Sequence, residues 1–238
     1  MNPRLRSLYS EIHQCHICPD MDQTKEIRNP DAISEEMDIF IISQALAEGQ
    51  LRMSGVNFFQ NDGALGSTGR QLEQFLNLFD RTVYPPREVT TPSGSTISGR
   101  RENLISVYNT EIAQCFPGRS NSGSGDRPPT GDEMRTCVNM GYIREELQII
   151  RPKLVILMGK KSWSSFHQIV LQEAPAESTL TGAIESICSS GNIPEHTLSD
   201  GITFCCLPIQ HASGANPRFY TMLRNESLVD LIEEVLDA

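Results

Sequence analysis

The chain alternates short apolar runs with amphipathic segments, and the runs predict buried parallel strands. The four runs are residues 38–42, 104–108, 154–158 and 203–209. Each run is followed within a few residues by turn residues or a polar loop. Because helical patterns lie between the runs, we predict one α/β domain over residues 1–238, with a central four-stranded parallel sheet covered by helices on both faces.

Three segments carry apolar residues at the i, i+3, i+4, i+7 spacing of an amphipathic helix. They are residues 68–79, residues 130–152 and the C-terminal residues 228–235. The second segment has a suitable cap at Thr130 or Asp132 and stops at Pro152.

Two segments interrupt this rhythm, residues 84–103 and 116–131, and both are rich in Pro, Gly and Ser. Loops of that length in a compact domain are usually functional or disordered, and a solvated linker without a role is as good an interpretation as a functional loop. Their arginines could form a local basic face: Arg87, Arg100, Arg101, Arg119 and Arg127.

Composition narrows the class of protein. With 38% hydrophobic and 21% charged residues, the chain can bury a core and is unlike a disordered chain. A formal net charge of −10, from 20 basic and 30 acidic residues, argues against a protein that coats nucleic acid non-specifically. No apolar run approaches the roughly 18 residues of a membrane helix, and the N-terminus lacks a signal-peptide core. We therefore expect a cytoplasmic monomer with no membrane partner.

Seven cysteines in such a chain suggest metal ligands, catalytic groups or buried small side chains rather than a disulfide framework. Cys15 and Cys18 form a CxxC motif, whose spacing suits zinc or an iron–sulfur cluster. A redox CxxC is the rival interpretation, but nothing before Cys15 has the pattern of a strand. Cys115 follows the second predicted strand and Cys137 lies early in the next helix, so the four thiolates could converge. Cys188, Cys205 and Cys206 are set apart, because the last two fall within a strand.

Six short motifs stand in order along the chain. They are CHICP at 15–19, IISQALAE at 41–48, TGRQL at 68–72, VYNTEIAQCFP at 107–117, IRPKLVILMG at 150–159 and HASG at 211–214. In order and separation they resemble the iron–sulfur uracil-DNA glycosylases, families four and five of that superfamily. The resemblance implies a Rossmann-like, three-layer α/β/α fold. It also implies an enzyme that hydrolyses the N-glycosidic bond of a pyrimidine flipped out of DNA.

The resemblance further implies a structural 4Fe–4S cluster at Cys15, Cys18, Cys115 and Cys137, while zinc at the same thiolates is the alternative on chemistry alone. It gives His211 the role of hydrogen-bonding the pyrimidine O2 as negative charge develops there. Phe58 or Phe59 matches the aromatic residue that stacks on the flipped base. The implied DNA contacts are Arg70, Ser213, Gly214 and Asn216.

Two departures from the family pattern affect the water and the space around the base. The usual carboxylate of the first motif is an amide here, Gln44. Glu48 is the nearest carboxylate that could polarise water, although it could equally be a solvated loop residue. The proline that follows the family histidine is replaced by Ala212, which begins a run of small residues.

A third departure concerns the choice of base. The family asparagine that reads the uracil edge, four residues before the third cysteine, is Glu111 here, and Asn109 points the same way two residues earlier. An ionised glutamate only accepts hydrogen bonds, so it suits the N4 amino group of cytosine and repels the O4 of uracil. A protonated Glu111, or Asn109 after a shift in register, could still read uracil.

Three functions follow from these residues. The first is a glycosylase for a modified cytosine, such as glucosylated hydroxymethylcytosine in phage DNA, because excision of ordinary cytosine would destroy the genome. The second is a conventional uracil-DNA glycosylase of base-excision repair. The third is a non-catalytic iron–sulfur or zinc protein that binds nucleic acid, which the loss of the carboxylate at Gln44 makes possible.

Overall fold

A computed structural model describes residues 3–18, 21, 33, 37–45, 56–60, 62–91, 94–120, 126–213 and 216–238. The helices are α1 (Pro3–Gln14), α2 (Ser67–Leu76), α3 (Gly131–Asn139), α4 (Tyr142–Ile150), α5 (Lys160–Ser165), α6 (Leu180–Ser190), α7 (Pro217–Leu223) and α8 (Glu226–Asp237). A 3-10 turn at Asn77–Phe79 follows α2, and a π-helical segment at Phe166–Leu171 follows α5. The strands are β1 (Ile39–Ala45), β2 (Arg81–Thr82), β3 (Val89–Thr90), β4 (Thr96–Ile97), β5 (Ile105–Ser106), β6 (Tyr108–Ala113), β7 (Leu154–Met158), β8 (Glu195–Thr197) and β9 (Thr203–Ile209).

The central sheet has the strand order β6-β1-β7-β9-β8. The strands β6, β1, β7 and β9 are parallel to one another, whereas β8 pairs antiparallel with β9. Residues Ile39 to Ile42 in β1 and Leu154 to Leu157 in β7 are 0% exposed, as expected for strands covered on both faces. The predicted α/β class is confirmed, but the sheet is mixed and five-stranded rather than parallel and four-stranded. The fifth strand, EHT, was missed because a short, polar edge strand carries no apolar run.

The second predicted strand was misplaced. Residues 104–108 contain the two-residue β5, which pairs with β2 outside the central sheet, and only the first residue of β6, the strand that pairs with β1. The sequence of β6, YNTEIA, mixes polar and apolar residues, so the apolar run before it was the more visible signal. The shift matters because Asn109 and Glu111 lie within β6 and not beyond its end.

The helix predicted over 130–152 is two helices, α3 and α4. Gly141 separates them with a φ of +83°, a left-handed conformation that glycine adopts without strain. Thr130 caps α3 in a capping box with Glu133, as its position suggested. The predictions for 68–79 and 228–235 are confirmed by α2 with its 3-10 extension and by α8. Within the described part of the chain, no helix is long and apolar enough to cross a membrane.

A buried hydrogen-bond chain fixes α1 and α4 against β6. The hydroxyl groups of Tyr9 and Tyr108 lie 2.9 Å apart, and Tyr108 donates to Glu146 Oε1 at 2.8 Å. Tyr108 also stacks on Phe40 of β1, with ring centroids 4.8 Å apart. Cys15 directly follows α1. The hydrogen bonds that hold α1 therefore also determine the position of the CxxC motif.

Candidate functional site

The candidate site lies where the parallel strands of the central sheet end. Gln44 lies near the end of β1, Gly159 directly follows β7, and His211 follows β9 by two residues. Asn109 and Glu111 lie on the neighbouring strand β6, where Ile41 pairs with Asn109 and Ser43 with Glu111. In open α/β sheets, the carboxyl ends of the strands form the usual ligand-binding crevice.

Gly159 and Asn216 position His211 from two sides. A Cβ atom built on Gly159 would lie 3.6 Å from His211 Cβ and Cδ2, so the backbone at the end of β7 packs directly against the imidazole. The carbonyl of His211 accepts hydrogen bonds from the Ser213 N–H at 2.8 Å and from Asn216 Nδ2 at 3.1 Å. Asn216 Oδ1 also accepts from the Arg218 N–H and caps α7. Asn216 therefore holds the loop that carries His211.

The histidine is exposed, yet its pKa lies below the usual value because the surrounding protein removes part of its hydration. At neutral pH the imidazole is therefore neutral and carries one N–H donor. A neutral donor suits an oxygen that becomes negatively charged only as a bond breaks.

On the β6 side, two polar side chains share one strand face. Glu111 is buried, with 1% of its surface exposed, and Asn109 is half-buried. Ser43 Oγ donates to Asn109 Oδ1 at 3.5 Å, and Asn57 Nδ2 donates to the Asn109 carbonyl at 3.3 Å. These contacts bring the loop before Phe58 onto β6.

The two neighbouring phenylalanines have different surroundings. Phe59 is 1% exposed and meets Tyr84 edge to face, with ring centroids 5.1 Å apart, as a core residue does. Phe58 is also buried, with 8% of its surface exposed, but its φ is +73°, uncommon for a bulky residue, and its carbonyl accepts the Gly66 N–H at 2.8 Å. A Cβ atom on Gly69 would lie 2.8 Å from Phe58 Cβ, so the first turn of α2 requires glycine there. A strained backbone held by close contacts is typical of functional positions, and Phe58 is the better candidate for stacking on a base.

Four cysteines line one cavity: Cys15 and Cys18 after α1, Cys115 after β6, and Cys137 in α3. Cys137 is 9% exposed and Cys115 is 8% exposed. The pKa of Cys137 is raised to about 12, mainly by burial. The Gln114 N–H lowers this pKa by a smaller amount, and the other three thiols contribute to raising it. The pKa of Tyr142, which also lines the cavity, is raised by burial and by Cys15. Elements far apart in the sequence thus bring four thiols together.

The four cysteines can be compared with the ligand geometries of a zinc ion and of an iron–sulfur cluster. As the described side chains stand, no three metal-ligating groups among them are placed to hold a single ion. A zinc ion needs four sulfurs at about 2.3 Å from one point. In a 4Fe–4S cluster each cysteine binds a different iron, so the sulfurs stand further apart. Thiolates are ligands of zinc and of iron–sulfur clusters alike, so the donor set by itself suits either.

Of the residues predicted to contact DNA, Arg70 is exposed and Ser213 is half-buried. Arg70 Nη1 donates to the Leu65 carbonyl at 2.6 Å. Glu48 and Gly214 lie outside the described residues. Arg127 contributes little to a basic face, because both its terminal nitrogens contact the Glu133 carboxylate at 2.5 and 2.8 Å. This contact lowers the pKa of Glu133 to about 2.

The chain belongs to the uracil DNA glycosylase superfamily, whose family model matches residues 30–235. Members of this superfamily are DNA glycosylases, so the chain is assigned to the enzymes that hydrolyse N-glycosyl bonds in DNA. No curated protein matches the chain.

Sequence reasoning missed two features. Gln114 lies within a motif, and its position between β6 and Cys115 was a usable signal. A cluster at the opposite edge of the sheet carried no motif. There, Glu173 Oε1 lies 3.4 Å from His167 Nδ1 and 3.3 Å from His196 Nδ1.

Proposed function

We propose that the protein is a DNA glycosylase that excises a cytosine-type base carrying a bulky group at C5, such as glucosylated hydroxymethylcytosine in phage DNA. The observation that carries this proposal is Glu111. A fully buried carboxyl group occupies the strand face at which the related enzymes use an asparagine to read uracil.

Hydrogen-bond complementarity connects Glu111 to the base. A buried carboxylate is costly unless it accepts hydrogen bonds, and a flipped cytosine offers the N4 amino group as a donor. Uracil would present O4, a second acceptor, to the same oxygens. Ordinary cytosine must be rejected, so productive binding has to depend on the C5 group. The small residues that follow His211 in the sequence, beginning with Ala212, are the proposed source of the space for this group.

His211 supplies the main catalytic interaction. As the glycosidic bond breaks, negative charge moves onto the base, and the neutral imidazole donates to the pyrimidine O2. The sugar becomes oxocarbenium-like, so a weak nucleophile suffices, and Gln44 at the end of β1 can orient the water by hydrogen bonds. An amide cannot take the proton of this water, so the proton passes to the departing base anion or to solvent as the bond from the water oxygen to the sugar forms. Glu48 is the alternative group for this water.

Other residues hold the substrate. Phe58 stacks on the flipped base, a contact worth about 1–3 kcal/mol. Arg70, Ser213, Gly214 and Asn216 contact the phosphates, which fixes the register of the DNA without reading its sequence.

A 4Fe–4S cluster at Cys15, Cys18, Cys115 and Cys137 completes the proposal. When bound, the cluster supplies a rigid cross-link between the end of α1, the end of β6 and α3. Its role is structural, because the hydrolysis needs only the residues at the strand ends. Zinc would supply the same cross-link.

Asn109 supports a second candidate function, excision of uracil. Its amide lies beside Ser43 and next to the loop that carries Phe58, and an amide can both donate to O4 and accept from N3–H of uracil. In that case Glu111 would be a buried structural carboxyl.

The decisive experiment measures abasic sites in duplexes that contain one uracil, cytosine, hydroxymethylcytosine or glucosylated hydroxymethylcytosine. We expect excision of a modified cytosine and none of cytosine. Release of uracil alone would overturn the first function in favour of repair. The absence of abasic sites with all four duplexes, together with measurable DNA binding, would indicate a non-catalytic protein.

Substitution of Glu111 sharpens this assay. Glu111→Asn should raise the ratio of uracil to modified-cytosine excision about tenfold or more, because a matched hydrogen-bonded pair is worth about 1–3 kcal/mol of discrimination. Glu146→Gln is the matched control, since Glu146 is likewise buried, at 0% exposed, but accepts a hydrogen bond from Tyr108. An unchanged ratio in Glu111→Asn would remove Glu111 from the pocket.

A further inference from the structure

Gln114 connects the cysteine cavity to the strand that reads the base. It directly follows β6 and precedes Cys115, and it is 4% exposed. Its backbone N–H donates to Cys137 Sγ at 3.2 Å. Its side-chain Nε2 turns back along β6 and donates to the Glu111 carbonyl at 2.7 Å and to Thr110 Oγ1 at 3.0 Å. One buried residue thus contacts both parts of the site.

The two ends of Gln114 have different physical effects. A peptide N–H aimed at a cysteine sulfur stabilises negative charge on that sulfur when a metal is bound, as hydrogen bonds around metal thiolates generally do. The side-chain amide has two hydrogens, and the Glu111 carbonyl and the Thr110 hydroxyl accept both of them. A displacement of Cys115 or Cys137 therefore pulls on the backbone of Glu111.

We propose that Gln114 is a positioning residue that couples the occupancy of the four-cysteine site to the placement of Glu111. The inference rests on the proposed roles of Glu111 and of the four cysteines. Occupancy holds the turn at Gln114, the Gln114 side chain holds the Glu111 backbone, and Glu111 discriminates between bases. Loss of the metal should then relax the choice of base more than it lowers the excision rate.

The variant Gln114→Met tests the coupling, because it keeps the side-chain length and the backbone N–H but removes both side-chain hydrogen bonds. Gln148→Met is the matched control, since Gln148 donates to Asp200 on the protein surface. Should Gln114→Met fail to fold, Thr110→Val removes one acceptor with little change in shape.

Hydrogen–deuterium exchange of residues 108–113 is the first measurement, made on purified protein before and after treatment with a chelator and an oxidant. In wild type and Gln148→Met, metal removal should accelerate exchange about tenfold, as expected from the loss of one or two buried hydrogen bonds. In Gln114→Met, exchange should already be fast and should respond little to metal removal, while iron content and the visible absorption spectrum stay at wild-type levels. Equal responses in Gln114→Met and Gln148→Met would overturn the coupling.

Base discrimination is the second measurement. The ratio of kcat/KM for the preferred base to that for uracil should fall about tenfold in Gln114→Met and stay constant in Gln148→Met. A purely structural role would lower both rates equally and would overturn the inference. The exchange measurement needs no substrate, so it decides the coupling even if none of the duplexes is cleaved, a result that would refute only the proposed activity.

Discussion

Titratable side chains cluster at both edges of the central sheet, but the two clusters differ in the signs of charge that they contain. At the β6 edge, formed by Glu111 and the four cysteines of the cavity, every group is neutral or negative. At the β8 edge, formed by His167, Glu173 and His196, one carboxylate oxygen lies between two imidazoles. Burial lowers the pKa of both histidines, and Glu173 partly opposes that effect.

Under the proposed function, this difference separates a metal site at the β6 edge from a structural cluster at the β8 edge. Buried groups of one charge sign cannot ionise together unless a cation from outside compensates them, and metal binding is the usual solution. The β8 edge combines groups of both signs of charge. Acidic groups gathered at one place therefore favour a bound cation more than a cluster of mixed sign does.

The largest expected effect is at the cysteine cavity. Cys137→Ser should abolish metal binding and lower the free energy of unfolding by several kcal/mol, because the energy of binding a structural metal is energy of folding. Cys188→Ser is the control, since Cys188 is half-buried and accepts a hydrogen bond from Asn225 instead. Iron and zinc content and chemical denaturation measure both effects. Equal metal content in the two variants would contradict the contrast between the edges.

Loss of the catalytic donor should come next. His211→Ala should lower kcat/KM about 10²–10³-fold, the usual effect of removing one donor to a developing negative charge. His196→Ala, at the β8 edge, should leave kcat/KM within about twofold of wild type. Single-turnover excision assays measure both rates. Similar losses in the two variants would show that His211 has no special role in catalysis.

A smaller effect is expected where α2 meets Phe58. Gly69→Ala should destabilise the protein by about 1–3 kcal/mol, because the added Cβ would lie 2.8 Å from Phe58 Cβ. It should also raise KM for the flipped base as Phe58 shifts. Gly131→Ala, where a Cβ would have nothing within 4 Å, is the matched control. Thermal unfolding and excision kinetics compare the two variants, and equal stability would show that the contact with Phe58 is relaxed.

The smallest effect is the pH dependence of the β8 edge. The folded pKa values of His167 and His196 lie below 6.5, so below that pH the unfolded chain binds protons that the folded chain does not. Stability should therefore fall as the pH drops through about 6.5 and level off below the folded pKa values. Glu173→Gln should make the fall steeper, because it removes the charge that supports the imidazolium, and the exposed Glu195→Gln should not. Midpoints of thermal unfolding between pH 7.5 and 5 measure this, and parallel curves for both variants would exclude the cluster as the cause.

The sequence predicted the parts of the fold that depend on continuous apolar burial. β1, β7 and β9 were found because each is a nearly unbroken apolar run in the sheet. β6 was misplaced because three consecutive polar residues, Asn109 to Glu111, interrupt its apolar pattern. Asn109 and Glu111 share one strand face, the face to which the proposed function assigns base recognition. β8 was missed because an edge strand needs few apolar residues.

The amino-acid sequence by itself determined the α/β class, the family motifs and the types of residue available for chemistry, because apolar periodicity and short spacings are local properties. Only the tertiary structure decided that Cys15 and Cys137 line one cavity, that Phe58 and Phe59 are both buried but only Phe58 has a left-handed backbone, and that Gln114 joins the cysteines to Glu111. Such contacts depend on where strands end relative to one another, and that is determined by the packing of the whole sheet.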